Sequence, residues 1–379
     1  MGAITRGFAN NILSSGTVDA TDGLTGTIPA SNINNTSVSA ITSMPATVGD
    51  FVQSVASDPS PATAGDVWYN STTGALKAAV FVSDVWASAS SKPAAGGGTS
   101  AGSAFGSQTA GVFAGGAAPA PAPALSTALT NVQEYNSGVW STVNSMSQAR
   151  IVQGSAGPQT ASVVFGGRIS GNPFTYTAAS EEYDGTTWTS GGNLGAARYY
   201  MGALGTQTAA LSCGGIAPSS PSNTNTQLYN GTSWTAVNSL NTGRHSCKGS
   251  GTTSAGLLVS SATAPTSNVT EEYDGTNWSS ASNTISDTQY RGASSLGTQT
   301  SSLVYGGSPY IANTDLYNGT NWSASATLGT ARAWVGNGGG GSGSAAFTSG
   351  GENASGAPAY ALTEEFTGSF VDTKTITTS

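Results

Sequence analysis

Short apolar runs alternate with polar residues along most of the chain, and the runs come in pairs that repeat. Near Ser180–Gly215 the first pair brackets Asp184-Gly185, with Glu182-Tyr183 before it and Thr187-Trp188 after it. Period-two alternation broken by Asp-Gly predicts a β-hairpin whose two turn residues take positive φ and fix the register. A second hairpin follows, Tyr199 to Ala203 and Thr208 to Cys213, turning at Leu204-Gly205-Thr206 and closed by Gly214-Gly215. Equivalent first turns stand at Asn230-Gly231, Asp274-Gly275 and Asn318-Gly319, with Asn136-Ser137-Gly138 as a looser version. One four-stranded sheet of such short, half-apolar strands cannot bury both of its faces, so each unit needs neighbours on both sides.

The spacing of the units says how they are arranged. Trp86, Trp140, Trp188, Trp234, Trp278 and Trp322 are separated by 54, 48, 46, 44 and 44 residues, and Phe370 lies 48 beyond the last. Four strands repeated at that period predict a β-propeller. Inner hairpins fall at 100–116, 148–167, 197–215, 244–262, 290–307 and 331–351. Outer Tyr/Trp hairpins fall at 131–140, 180–188, 226–234, 270–278, 313–322 and 362–370, the last with Phe366 and Phe370 in the Tyr and Trp places. Six blades follow, with seven as the alternative; if 78–86 also contributes, the two chain ends share one blade.

The order of marks resembles the kelch repeat. Gly166-Gly167, Tyr183, Trp188, Arg198 and Gly214-Gly215 carry the likeness in one unit, and Gly306-Gly307, Tyr317, Trp322, Arg332 and Gly350-Gly351 in another. It spans roughly residues 100 to 371 and departs at Ser260-Ser261, in place of Gly-Gly, and at Arg291, thirteen residues past Trp278 rather than ten. The expected fold is all-β: a kelch-like β-propeller over 100–379, a small β module and linker over 61–99, and an extended N-terminal arm over 1–60.

In that arm, isolated apolar residues such as Phe8, Ile12 and Phe51 show no lasting period. Such a segment orders only against a partner or against copies of itself, which suggests attachment. Residues 62–87 predict three short strands with turns at Asn70–Gly74 and Ser83-Asp84, Trp68 and Tyr69 covering one face. The Trp68–Gly74 wording followed by an apolar hairpin resembles small modules in tail and fibre proteins of tailed bacteriophages.

Composition narrows the setting. Charged residues make up 8% of the chain and Gly supplies 52 positions, so the surface rests on Ser, Thr and Asn. A net charge of −8, with only eleven Lys and Arg, disfavours nucleic acid or an anionic membrane as partner. The N-terminus has no apolar run of signal-peptide length, and no stretch reaches the length of a membrane span. Cys213 and Cys247 fall on apolar strands of successive units; they read as buried thiols, with an inter-blade disulfide as the alternative.

Catalytic chemistry finds few candidates. Some kelch-like propellers are copper oxidases, whose sites need paired His, and this chain has one, His245. No nucleophile-elbow signature accompanies it. Glu181-Glu182, Glu271-Glu272 and Glu364-Glu365 occupy one repeated strand slot, which points to blade packing rather than paired-carboxylate hydrolysis. Arg150, Arg198, Arg244, Arg291 and Arg332 also share a slot and are expected to bridge blades through carboxylates and carbonyls, an anion-binding ring being the alternative. No catalytic residue, metal site or cofactor is expected.

Recognition is assigned to the loops that vary, those leading from each Gly-Gly to the next outer hairpin on one rim. Phe174, Tyr176, Tyr310 and Tyr360, with Arg168, Asn172 and Glu352, form the candidate ligand-binding set. The expected function is that of a non-enzymatic structural protein of a tailed-phage virion (fibre, appendage or decoration). Residues 1–60 would join other virion proteins, the propeller would meet host-surface glycan or receptor, and several copies would assemble in the particle. A secreted or cell-surface bacterial propeller lectin is the rival.

Overall fold

The computed structural model describes residues 52–93, 100–117, 127–169, 175–218, 220–259, 262, 268–281, 285, 294–335, 340–352 and 361–376. The proposed arm over 1–60 lies almost wholly outside them, as do Asn172, Phe174, Arg291 and Tyr360. Among the described residues all regular structure is strand, and the chain divides into two units, residues 1–84 with 369–379, and residues 85–368.

The smaller unit is a sheet in the order Gln53–Val55, Val67–Asn70, Ala75–Val82, Phe370–Thr375, its first pair parallel and the others antiparallel. Trp68 is buried and donates through Nε1 to Asp58 Oδ1 at 3.0 Å, while Asn70 and Lys77 bind the same carboxylate. Those donors, Lys77 foremost, hold the Asp58 carboxyl down at about 2. Trp68 and Tyr69 do not cover one face: as consecutive strand residues they point to opposite sides, and Tyr69 is only half-buried.

Among the described residues the larger unit holds six four-stranded antiparallel sheets. Sheets 1, 3, 4 and 5 each use four successive strands, and sheet 2 is interrupted after its second strand by a short two-stranded hairpin. The strands are Ser103–Gly106, Ala110–Ala114, Val132–Asn136 and Val139–Val143 (sheet 1); Gly154–Ala156, Ser162–Phe165, Ser180–Tyr183 and Trp188–Ser190 (sheet 2). Sheet 3 comprises Gly202–Thr206, Ala209–Cys213, Thr226–Tyr229 and Trp234–Val237; sheet 4, Lys248–Thr252, Ala255–Val259, Thr270–Tyr273 and Trp278–Ser280. Sheet 5 has Ser294–Thr298, Ser301–Tyr305, Thr314–Tyr317 and Trp322–Ala324. Sheet 6 takes Gly340–Gly341, Ala345–Ser349 and Thr363–Thr367 from the end of the chain and its outermost strand, Val85–Ala89, from the beginning. The first strands of the sheets neighbour one another in cyclic order, the sixth returning to the first. The architecture is β-propeller-like.

The Trp of sheet 6 is therefore Trp86, opposite Phe366, with ring centroids 5.2 Å apart. Phe370, expected in that place, pairs instead with Val82 in the smaller unit and is exposed. The repeat period alone put Phe370 there; the strand that fills the slot is chosen by burial, and the Trp86 indole is 8% exposed against 45% for Phe370.

The Asp-Gly turns also differ from expectation. Tyr183 pairs with Trp188, so four residues lie between them; Gly185 alone takes positive φ, at 90°, and Asp184 Oδ1 accepts from the amides of Thr186 and Thr187. The two-residue turn with both φ positive is Ser137-Gly138, at 45° and 93°.

Polar bonds cross the seams between sheets. Tyr183 donates to Glu134 at 2.8 Å and Tyr317 to Glu272 at 2.7 Å, and Tyr229 and Tyr135 donate in the same way to Glu182 and Glu365. The carboxylate beside each phenol, added to burial, raises the phenol pKa of Tyr183 and Tyr317. Indole nitrogens make a second set: Trp234 to Ser180, Trp322 to Thr270, Trp86 to Thr314 and Trp140 to Thr363, at 3.0 to 3.1 Å. The Gln of the inner turns crosses as well, Gln207 Nε2 reaching the carbonyls of Ser162 and Tyr183. The repeated Glu pairs thus divide their work, the first taking Arg and the second the next sheet's Tyr.

Because Trp86 closes the cycle, Trp86→Ala is expected to cost about 3–5 kcal/mol of unfolding free energy. Phe370→Ala should cost less than about 1 kcal/mol, as an exposed site. Urea denaturation followed by tryptophan fluorescence compares the two.

Candidate functional site

Among the described residues, sheets 1, 2, 3, 4 and 6 begin at a common device. Two residues past Arg150, Arg198, Arg244 and Arg332 the backbone enters the left-handed region, at Val152 (φ 51°), Tyr200 (57°), Ser246 (56°) and Trp334 (54°), with Ala101 (58°) in the same place. This conformation turns the peptide toward the next sheet. Ala101 N donates to Trp334 O, Val152 N to Ala101 O, Tyr200 N to Val152 O and Ser246 N to Tyr200 O, at 2.7 to 3.1 Å. A chain of backbone bonds so passes from sheet 6 to sheet 1 and on to sheet 4.

The Arg side chains hold this end from within. Arg150, Arg244 and Arg332 are fully buried and pair with Glu181, Glu271 and Glu364. Arg150 Nη1 also donates to the carbonyls of Gly166 and Ala179, and Arg332 Nη1 to those of Gly350 and Leu362. The same carboxylates accept backbone amides of the segments linking sheets, Ser147 N on Glu181 and Gly329 N on Glu364. These guanidiniums are consumed by structure and form no exposed anion ring. The Gly-Gly doublet fits beneath: a Cβ on Gly166, at φ 61°, would lie 2.7 Å from the carbonyl of Arg198. In sheet 3 the carboxylate is replaced by Gln227, whose Oε1 accepts from Arg198 at 3.1 Å.

Above this frame lies a row of aromatic rings. Tyr176 stacks on Tyr199 at 4.6 Å and 15°; Tyr199 tilts against Tyr200 at 4.9 Å; Tyr200 meets Trp334 at 5.6 Å and His245 at 6.3 Å. Sheets 3 and 6 stand opposite each other in the cycle, so Tyr200 and Trp334 meet across its axis. The Arg168 guanidinium carbon sits 5.6 Å from the Tyr199 ring centre. All six side chains are half-buried. Burial and the Tyr176 hydroxyl push the Tyr199 phenol up to about 12, so that phenol is uncharged at neutral pH.

Of the loop residues singled out from sequence, Arg168 and Tyr176 are brought together as partners in a two-stranded hairpin, Arg168–Ile169 with Thr175–Tyr176. Glu352 is bridged through its backbone to Ala333, beside Trp334. Tyr310 is half-buried at φ 108° in the loop between the second and third strands of sheet 5, its amide bonded to Gly307 O at 2.8 Å. Asn172, Phe174 and Tyr360 lie outside the described residues. Tyr199, Tyr200, His245 and Trp334 were missed. The signal that would have found them is the pair of positions after the repeat Arg: Ile151-Val152 in one unit, but Tyr199-Tyr200, His245-Ser246 and Ala333-Trp334 in others.

No family model matches the chain, and no curated protein is similar to it. Among solved structures, one titled "Structure of YjhT", of a bacterial protein, superposes with a TM-score of 0.60. The likeness is one of fold. It covers 75% of this chain and 99% of that one at 13% identity, and YjhT is a propeller-type protein. Among the described residues no group of three or more His, Cys, Asp or Glu could hold a metal ion. Cys213 and Cys247 are buried free thiols, and burial raises the pKa of both.

Among the described residues, Arg198 is the buried guanidinium paired with a neutral side chain. Gln227→Glu should therefore raise stability by about 1–2 kcal/mol, and Glu271→Gln should lower it by a similar amount, charged hydrogen bonds being the stronger. Urea midpoints of the two variants against the parent chain check the sign.

Proposed function

We propose that this chain is a non-enzymatic recognition protein of a tailed-phage virion, a six-bladed kelch-like propeller that reads surface glycans with its loop end. Residues 1–60 attach it to other virion proteins, and several copies assemble on the particle. The observation that carries the recognition reading is the row of half-exposed rings from Tyr176 to Trp334 on the end that also bears the variable loops. Aromatic rings with a few polar neighbours are what a sugar's alternating C–H and O–H groups require. The opposite end consists of short turns whose Gln side chains are committed to neighbouring sheets, as Gln299 is to Gly256 O and Tyr273 O.

The virion setting is supported by the likeness of residues 62–87 to phage tail modules and by a surface poor in charge. A secreted bacterial lectin would share the glycan-reading end and differ in where the protein is found.

Two measurements test the reading. On a glycan array the full chain should bind a defined subset of bacterial surface oligosaccharides, and Tyr176→Ala should weaken that binding at least several-fold. Antibody labelling of purified phage particles should decorate an appendage; label found instead on the bacterial surface or in culture medium would replace the virion setting with the lectin one.

A further inference from the structure

We propose that the loop-side end of the ring axis is a stacking subsite for one neutral pyranose residue, floored by Tyr200 and Trp334 and bordered by Tyr199, Arg168 and His245. This rests on the glycan-reading function above and gives it a place and a ligand class.

The left-handed backbone at five equivalent positions is explained by the bonds that run from sheet to sheet. It does not explain the side chains. Ala101, Val152 and Ser246 serve the same backbone role with small or aliphatic groups, so the device has no need of aromatic rings. A bulky residue at positive φ is uncommon, and two of them stand on opposite sides of the axis with ring centroids 5.6 Å apart. Tyr200 packs against the cluster of Ala101, Ala117, Ala128, Ile151 and Val152, and both rings remain half-buried. The result is an apolar, partly wet surface at the point where all the sheets converge.

Its chemistry favours an uncharged sugar. The Tyr199 phenol is neutral at ordinary pH and Tyr176 already covers one side of Tyr199, so the C–H face of a sugar would meet Tyr200 and Trp334. Arg168 lies against Tyr199 at the border, and the His245 ring lies 6.3 Å from that of Tyr200, so the polar groups stand at the edge of the aromatic surface. The chain's net charge of −8 opposes a polyanionic glycan.

The test uses the full chain with methyl glucopyranoside and methyl galactopyranoside as neutral probes, methyl glucuronide as the charged one, and the oligosaccharides found on the array. Saturation-transfer NMR should show magnetisation passing from aromatic protons to the C–H protons of a neutral pyranose. Trp334→Ala and Tyr200→Ala should each weaken oligosaccharide binding at least tenfold, Trp334→Phe should retain most of it, and Val139→Ser, an exposed change at the opposite end, should leave it within twofold. Should Trp334→Ala fail to fold, Tyr200→Leu and the NMR contact with the parent chain decide the matter. Loss of binding in Tyr310→Ala or Tyr176→Ala but in neither Tyr200→Ala nor Trp334→Phe and Trp334→Ala would place the sugar on the outer loops, overturning the axial subsite and sparing the glycan function. Binding of glucuronide alone would overturn the ligand class, and absence of any glycan binding would overturn both readings.

Discussion

The fold depends on bonds made between sheets rather than within them. A four-stranded sheet of five-residue strands leaves both faces half apolar, and each face is covered only when the next sheet is packed against it. Along the seams the apolar contact is supplemented by a phenol on a carboxylate and an indole N–H on a hydroxyl, both directional. A carboxylate from sheet 6 accepts from Tyr135 of sheet 1, so the same bond also ties the last sheet to the first. What the repeat encodes is therefore a joint, and the strands are the spacers between joints.

The seam between sheets 3 and 4 has neither bond. Trp278 Nε1 and Thr226 Oγ1, which fill the indole and hydroxyl places there, both lack a hydrogen-bond partner. Leu228 stands where the second Glu of other sheets would accept from Tyr273. The same seam buries the two thiols, with Cys247 Sγ 3.7 Å from Cys213 O. Its contact is apolar, formed by Leu204, Leu211, Leu240 and Leu258 around Tyr273 and Trp278. Polar bonding and hydrophobic packing substitute for one another from seam to seam.

Much of this was legible in the order of residues. Tyr, Trp, Arg and Gly-Gly each recur because each fills one stereochemical role, so the sheets and their hairpins could be read from spacing. Ring closure could not: Val85–Ala89 and Thr363–Thr367 are brought together by a pairing of great sequence separation, and a local period extended to Phe370 looked equally regular. The candidate site was half visible. Variable loops drew attention to Arg168 and Tyr176, while Tyr200 and Trp334 hid inside the repeat itself, in a slot whose backbone is constant and whose side chain is not. A slot-by-slot comparison separates those two demands; a search for variable stretches does not.

The sharing of sheet 6 has a bearing on how the molecule is made. Trp86 leaves the ribosome 280 positions before Phe366, the residue it pairs with. Through that interval five sheets can assemble in order while the early strand waits with its indole uncovered, and only the last stretch of translation gives it a partner. A cell producing this chain must shield one short segment for most of the time of synthesis, or else tolerate a growing arc that exposes two unfinished edges to other nascent chains.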